Sequence, residues 1–264
     1  MVHTIWKNLE TLRNQSPLVQ NITNFVVMNN TANALLAIGA SPIMAHAVEE
    51  LDDMLSICNS LVINMGTLDA HWSNAMIQAA KKANAIKKPW VLDPVGAGAS
   101  AYRNQLLEEL LLCNPTIIRG NASEIQSLAK FSTGKTKGVD SIIGSNEAQE
   151  AAILLSKTYN SVVCISGATD IVVMGDQTFY LSNGDELMTK VTGMGCSATA
   201  ICGAFAAVIP DAFEATISAM AVIGVVGELA AQQSNGPGSL QVQILDRLYQ
   251  LSETEFKATF KGNN

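Results

Sequence analysis

Ser60-Leu61-Val62-Ile63-Asn64-Met65 carries apolar side chains on both faces of any strand it could form. A strand with one face in water alternates apolar and polar residues; a strand covered on both sides does not. Ser161-Val162-Val163-Cys164-Ile165-Ser166 repeats the pattern later in the chain. Further strands are predicted at 18–20, 42–45, 90–94, 116–119 and 171–174. Helical patterns separate them at 31–38, 48–58, 69–85, 102–112, 122–129 and 147–159. This alternation predicts an α/β fold: a mainly parallel central sheet with helices on both faces. Residues 171–176 and 178–182 read as a late hairpin at one sheet edge.

The last third changes character. Two apolar helices are expected at 196–208 and 213–233, then a turn at Ser234-Asn235-Gly236-Pro237-Gly238 and one amphipathic helix over 239–260. From 191 to 210 no residue is charged, about the length of a membrane span. That stretch is rich in Ala, Ser, Thr and Gly, and the apolar run at 215–227 is short, so buried helices are the expectation. The 213–233 helix is apolar nearly all round and belongs at the centre or at a subunit contact. With no long linker or repeat, the 264 residues read as one domain, 1–264.

Composition narrows the function classes. Apolar residues make up 48% of the chain and the net charge is −7, with no basic run longer than two residues. Nucleic acid is therefore not an expected partner, because phosphate-backbone binding needs clustered Lys and Arg. The five cysteines are odd in number and form no Cys-x-x-Cys pair, which argues against a disulfide framework or structural zinc. The N-terminus is a mixed-charge amphipathic stretch, not a signal peptide, so a cytoplasmic protein is expected.

Thr192-Gly193-Met194-Gly195-Cys196 joins a β-like segment, LMTKV, to an apolar helix. Glycines let the backbone approach a ligand, and the helix start offers free N–H groups and a positive dipole end. Gly193, Met194, Gly195 and Cys196 thus form a candidate anion hole. The same residues fit G-x-G-x-x-A, but they lie far from a first βαβ unit and no acid ends a second strand after them. Thr133-Gly134-Lys135-Thr136 has a P-loop tail without the upstream glycine.

Asp93 ends an apolar strand, and Glu124 follows the next one. Carboxylates at the carboxyl ends of parallel strands suit ligand binding, and this pair could hold Mg²⁺ through water. A turn acid at Asp93 and a helix-capping acid at Glu124 are the structural alternatives. Arg119 ends an apolar strand at the same rim, where a guanidinium suits phosphate.

Four segments occur together: Asn64-Met65-Gly66-Thr67, Asp93-Pro94-Val95-Gly96-Ala97-Gly98, Arg119-Gly120-Asn121-Ala122-Ser123-Glu124 and Thr192-Gly193-Met194-Gly195-Cys196. With Asn21-Ile22-Thr23-Asn24 and Gly39-Ala40-Ser41-Pro42-Ile43-Met44, they make the chain resemble the hydroxyethylthiazole kinase family of the ribokinase-like superfamily, over 16–238. The resemblance implies a ribokinase-like three-layer fold. It implies ATP-dependent phosphorylation of the hydroxyl of 4-methyl-5-(2-hydroxyethyl)thiazole in thiamine salvage, with Mg²⁺, by a homotrimer whose active sites lie at subunit interfaces. It also assigns roles. Asn24, Met44 and Gly193 bind the thiazole; Arg119, Asn121 and Ser166 contact ATP; Asp93 and Glu124 serve the metal. Cys196 stands where most ribokinase-like kinases place an aspartate base. A helix N-terminus lowers a thiol's pKa, so Cys196 is expected to act as an assisting base and orienter, not as a covalent nucleophile.

Overall fold

The computed structural model describes residues 1–132 and 147–263. The Gly-Lys-Thr stretch at 133–136 lies outside them. Helix α1 (Val2–Gln15) leads into β1 (Leu18–Ile22), α2 (Met28–Ile38), β2 (Ser41–Ile43) and α3 (Leu51–Ile57). The middle of the chain supplies β3 (Ser60–Asn64), α4 (Ala70–Ala85), β4 (Trp90–Asp93), α5 (Ala101–Leu111), β5 (Ile117–Asn121) and α6 (Ala122–Ser132). Then come α7 (Glu147–Tyr159), β6 (Val162–Ser166), β7 (Asp170–Met174) and β8 (Gln177–Leu181). The chain closes with α8 (Met194–Ala206), α9 (Ala212–Ala231), α10 (Pro237–Gln250), α11 (Glu253–Thr259) and the short β9 (Gly262–Asn263).

The strands make one sheet in the order β2-β1-β3-β4-β5-β6-β7-β8-β9. The pairs from β2 to β6 are parallel, and those from β6 to β9 antiparallel. Alternate residues of each strand enter opposite cores. Val19, Val62, Val91 and Ile117 pack under α8 and α9, whereas Ile22, Leu61, Ile63, Leu92 and Ile118 pack under α4 and α5. Both faces are covered, so the apolar runs without alternation have their cause.

Several helix starts are written in the sequence. Asp69, Ser100 and Asp211 accept backbone N–H bonds at the starts of α4, α5 and α9. The expected 239–260 helix is broken in two. Leu251 leaves helical geometry, and Ser252 with Glu255 forms a capping box that starts α11 afresh. The late hairpin is present, but the C-terminal β9 pairs with β8, so the hairpin is not the last strand pair of the sheet. LMTKV is not β-like: Glu186–Lys190 is a 3₁₀ helix, capped by the Asp185 carboxylate, which accepts the Leu187 N–H.

α9 spans 20 residues and is long and apolar enough to cross a membrane. It is buried in the protein from Ala215 to Gly227, between the sheet, α8 and α10. That burial is the expected one, and it explains a helix with no polar face.

Candidate active site

The carboxyl ends of β3, β4, β5 and β6 lie in register, and each ends in a polar residue. Asn64 pairs with Asp93, and Asn121 with Ser166. Apolar residues fill the inner positions of β3, β4 and β6, so their first polar side chains emerge together at this rim; in β5 Arg119 lies inside the strand, two residues short of its end, and not at the end where the sequence placed it. α8 begins over the same rim, with Gly193 as its N-cap at φ 79°. A Cβ on Gly193 would lie 2.7 Å from Val27 Cγ1, so glycine is required here by both conformation and space. The first intrahelical bond is that of the Ser197 N–H to the Gly193 carbonyl. The N–H groups of Met194, Gly195 and Cys196 therefore point out of the helix, available to an anion.

Asp93 is buried. Its Oδ2 accepts bonds from Asn64 Nδ2 at 2.6 Å and Thr199 Oγ1 at 2.8 Å. Both fall on one oxygen, so Oδ1 keeps its lone pairs for a ligand. Burial pushes Asp93 up to about 6, against the pull of Arg119 and Thr199. Arg119 is also buried. Its Nη1 donates to the Gly195 carbonyl at 2.8 Å, and its Nε has no protein partner. Burial works against its charge, but Asp93 and its other neighbours hold it cationic. A buried guanidinium with a donor to spare, beside the open start of α8, fits a phosphate.

Glu124 is the helix-capping acid offered as its structural alternative. Its Oε2 accepts the Asn121 N–H at 2.9 Å while Asn121 Oδ1 accepts the Glu124 N–H at 3.0 Å, a reciprocal cap at the start of α6. Its Oε1 reaches the other way, to the Gly96 N–H at 3.0 Å. That bond ties the loop after β4 to α6 and brings Glu124 close enough to Asp93 to raise the latter's pKa. Among the described residues no group of three or more His, Cys, Asp or Glu side chains could hold a metal. Two carboxylates in a phosphate site still suit Mg²⁺, which takes its remaining ligands from water and phosphate.

Asn24 completes the cluster. Its Nδ2 donates to Asn64 Oδ1 at 2.7 Å and to Cys196 Sγ at 3.6 Å. Cys196 itself corrects the sequence reading. Burial and the nearby Asp93 charge push its thiol up to about 11, although it lies in the first turn of a helix. The helix start does not win because the half-buried thiol loses hydration and lies beside a carboxylate. At neutral pH Cys196 is a thiol. Alkylation by iodoacetamide should therefore rise about tenfold per pH unit through the neutral range up to about pH 10. A rate that levels off near neutrality, followed by mass spectrometry of the modified peptide, would count against this.

Met44 stands apart: it is half-buried and follows the edge strand β2. Ser166 lines a cleft of about 660 Å³ with Arg119, Gly195, Met220 and Gly224. Asn121 spends its side-chain oxygen on the α6 cap and Ser123. Two residues of the cluster escaped the sequence reading of roles. Asn64 had a signal, a polar residue ending an apolar run. Thr199 had none, since it reaches Asp93 only through helix packing.

Asp170 also lines the cleft, its Oδ1 accepting the Gly167 N–H at 3.0 Å. Burial lifts it from 3.8 to about 6. Between those values the folded chain keeps a proton that the unfolded chain has lost, so this group's contribution to stability falls as pH rises. Asp170→Asn should therefore raise the melting temperature more at about pH 7.5 than at about pH 4. Equal changes at both, in thermal unfolding followed by circular dichroism, would contradict the assignment.

Residues 9–254 match the family model described as the hydroxyethylthiazole kinase family. The chain belongs to that family. It is thus a kinase with an alcohol group as acceptor. It is 58% identical over 252 residues to the hydroxyethylthiazole kinase of Leptospira biflexa, covering 95% of this chain and 94% of that one. To the hydroxyethylthiazole kinase of Vibrio parahaemolyticus it is 53% identical, over 99% and 98% of the two chains. The solved hydroxyethylthiazole kinase protein of Pyrococcus horikoshii superposes with a TM-score of 0.91 at 41% identity, covering 98% of each chain. The pyridoxal kinase of Staphylococcus aureus in complex with ADP gives a TM-score of 0.62 at 17% identity, over 80% of this chain and 88% of that one. The family member therefore has the ribokinase-like three-layer fold that its sequence implied.

Proposed function

We propose that this protein transfers the γ-phosphoryl group of ATP to the hydroxyl of 4-methyl-5-(2-hydroxyethyl)thiazole, the step that returns the thiazole to thiamine synthesis. The observation that carries this reading is the continuous chain of contacts from Asn24 through Asn64 to Asp93, Thr199 and Arg119, laid across the start of α8. One end offers amides and a thiol to an alcohol. The other offers a buried cation and free N–H groups to a phosphate.

In this reading Asn24, Met44 and Gly193 receive the thiazole. Arg119 and Ser166, which line the cleft beside α9, and Asn121, at the end of β5, contact ATP. Asp93 and Glu124 would hold Mg²⁺, which supplies charge neutralisation at the phosphates. The acceptor oxygen forms its bond to the γ-phosphorus as the bond to the β-γ bridging oxygen breaks. Such transfers are largely dissociative, so the hydroxyl proton leaves late, to an oxygen of the transferred phosphoryl group and then to water, and little basicity is needed. A protonated Cys196 suits that demand. It orients the alcohol and leaves the anion hole free of a second negative charge. The N–H groups of Gly195 and Cys196, with Arg119, take up the charge on the transferring group.

We infer further a single kinase domain over 1–264, working as a homotrimer in the cytoplasm. Phe25 and Val26, beside Asn24, are 58% and 61% exposed, apolar surface at the rim of the site that a neighbouring subunit would cover. All five cysteines are free thiols, as suits a reducing compartment. ADP release on a panel of small alcohols tests the reaction. Turnover on the thiazole alcohol well above that on pyridoxine or sugars is expected. No ADP release with any alcohol, while ATP and thiazole still bind, would sink it.

A further inference from the structure

The first turn of α5 faces the loops that follow β3 and β4. Ser100 caps the helix by accepting the Arg103 N–H, and Asn104 Oδ1 accepts the N–H of Gly98. Between them the Arg103 side chain reaches across both loops. Its Nη2 donates to the Gly66 carbonyl at 2.8 Å, and its Nη1 to the Val95 carbonyl at 2.9 Å and to that of Met65. One planar guanidinium thus spans three carbonyls on two loops, a geometry that an ammonium cannot reproduce. Gly96, at φ 73°, leaves room for it: a Cβ there would lie 3.4 Å from Arg103 Nε.

Those loops lead to the reacting centre. The Gly66 N–H donates to Asn64 Oδ1 at 3.0 Å, the same oxygen that receives Asn24 Nδ2. Gly66 also packs directly on Asn24, since a Cβ on Gly66 would lie 2.4 Å from Asn24 Nδ2. Asn24 in turn meets Cys196 Sγ. A displacement of Gly66 is therefore passed to Asn24 by both contact and hydrogen bond.

We infer that Arg103 is a positioning residue for the acceptor alcohol, acting through Gly66 and Asn24 without touching substrate. The inference rests on the acceptor site proposed above at Asn24. Arg119 and Ser166 stand on β5 and β6, and Arg103 reaches Asn121 only at one remove, through the Val95 carbonyl and the Gly96 N–H bond to Glu124, so the nucleotide end should shift less than Asn24 when Arg103 changes.

The test uses Arg103→Lys, which keeps the charge and the aliphatic stem, in the full-length protein with its melting temperature followed. The KM for the thiazole alcohol should rise about tenfold or more, with a clearly smaller rise in the KM for ATP, since small misplacements of a reacting group are costly. In a double-mutant cycle with Asn24→Ala the two effects should be strongly non-additive. Additive effects, or an equal rise in both KM values, would overturn the inference. A second measurement needs no substrate. Amide hydrogen exchange should quicken at 65–68 in Arg103→Lys and stay unchanged at 117–121. Unchanged exchange at 65–68 would also overturn it. If the wild-type protein fails to turn over the thiazole alcohol while exchange behaves as expected, the proposed substrate falls and the loop-positioning role stands.

Discussion

Asp93→Asn should lower kcat/KM by about 10³, the loss expected when a charge-stabilising group is removed from a dry site. The substitution keeps shape and volume, so the effect isolates charge. At neutral pH the Asp93 carboxylate is ionised, since its pKa is only about 6 despite burial. An amide in its place removes the negative charge that opposes the buried Arg119 and gives up a strong ligand for a hard cation. It also faces two donors, Asn64 Nδ2 and Thr199 Oγ1, with only one oxygen to offer. If that oxygen satisfies them, the amide NH₂ is left toward the phosphate site. Effects on stability have opposing signs, because a buried carboxylate is costly while an unopposed buried guanidinium is costly too. The loss should therefore appear in steady-state kinetics without unfolding. Activity within tenfold of wild type would exclude Asp93 from the reaction.

Arg119→Lys should lower kcat/KM by about 10² and raise the KM for ATP while leaving that for the alcohol unchanged. Charge is retained, so the loss comes from geometry. Arg119 Nη1 holds the Gly195 carbonyl at 2.8 Å, and a Cβ on Gly195 would lie 3.1 Å from that same atom. The guanidinium thus packs against the first turn of α8, and the residue lines the cleft beside it. One ammonium cannot fix that turn and also meet a phosphate. Steady-state kinetics with each substrate varied in turn reads the split. A larger effect on the KM of the alcohol would move Arg119 away from the nucleotide.

Much of this was legible in the linear sequence. Apolar runs without alternation gave a sheet covered on both faces, because no strand with a wet face can dispense with polar residues. Asp93 and Asn64 were visible as polar residues ending apolar runs, and parallel register alone brings such ends to one rim; Arg119 was read as a strand end too, but it lies inside β5 (Ile117–Asn121). The glycine loop announced a helix start with free N–H groups, which α8 has at Gly193. The 239–260 stretch misled because its amphipathic period runs across the break, while the capping box at Ser252 and Glu255 is local. LMTKV misled because its apolar residues pack on α9 and α10 from a 3₁₀ turn, a tertiary effect with no period of its own.

The sequence by itself determined that this chain is a covered α/β sheet with polar residues at its strand ends and a glycine-led helix start after them. Strand patterning and helix-start chemistry are local, and so is the resemblance that names the family. Only the tertiary structure decided the chemistry of Cys196. Whether a thiol at a helix start is lowered or raised depends on how much water remains and which charges lie near, and here burial and Asp93 together outweigh the helix. The same holds for Thr199 and Arg103, whose contacts bridge segments far apart in the chain and leave no mark on the sequence around them.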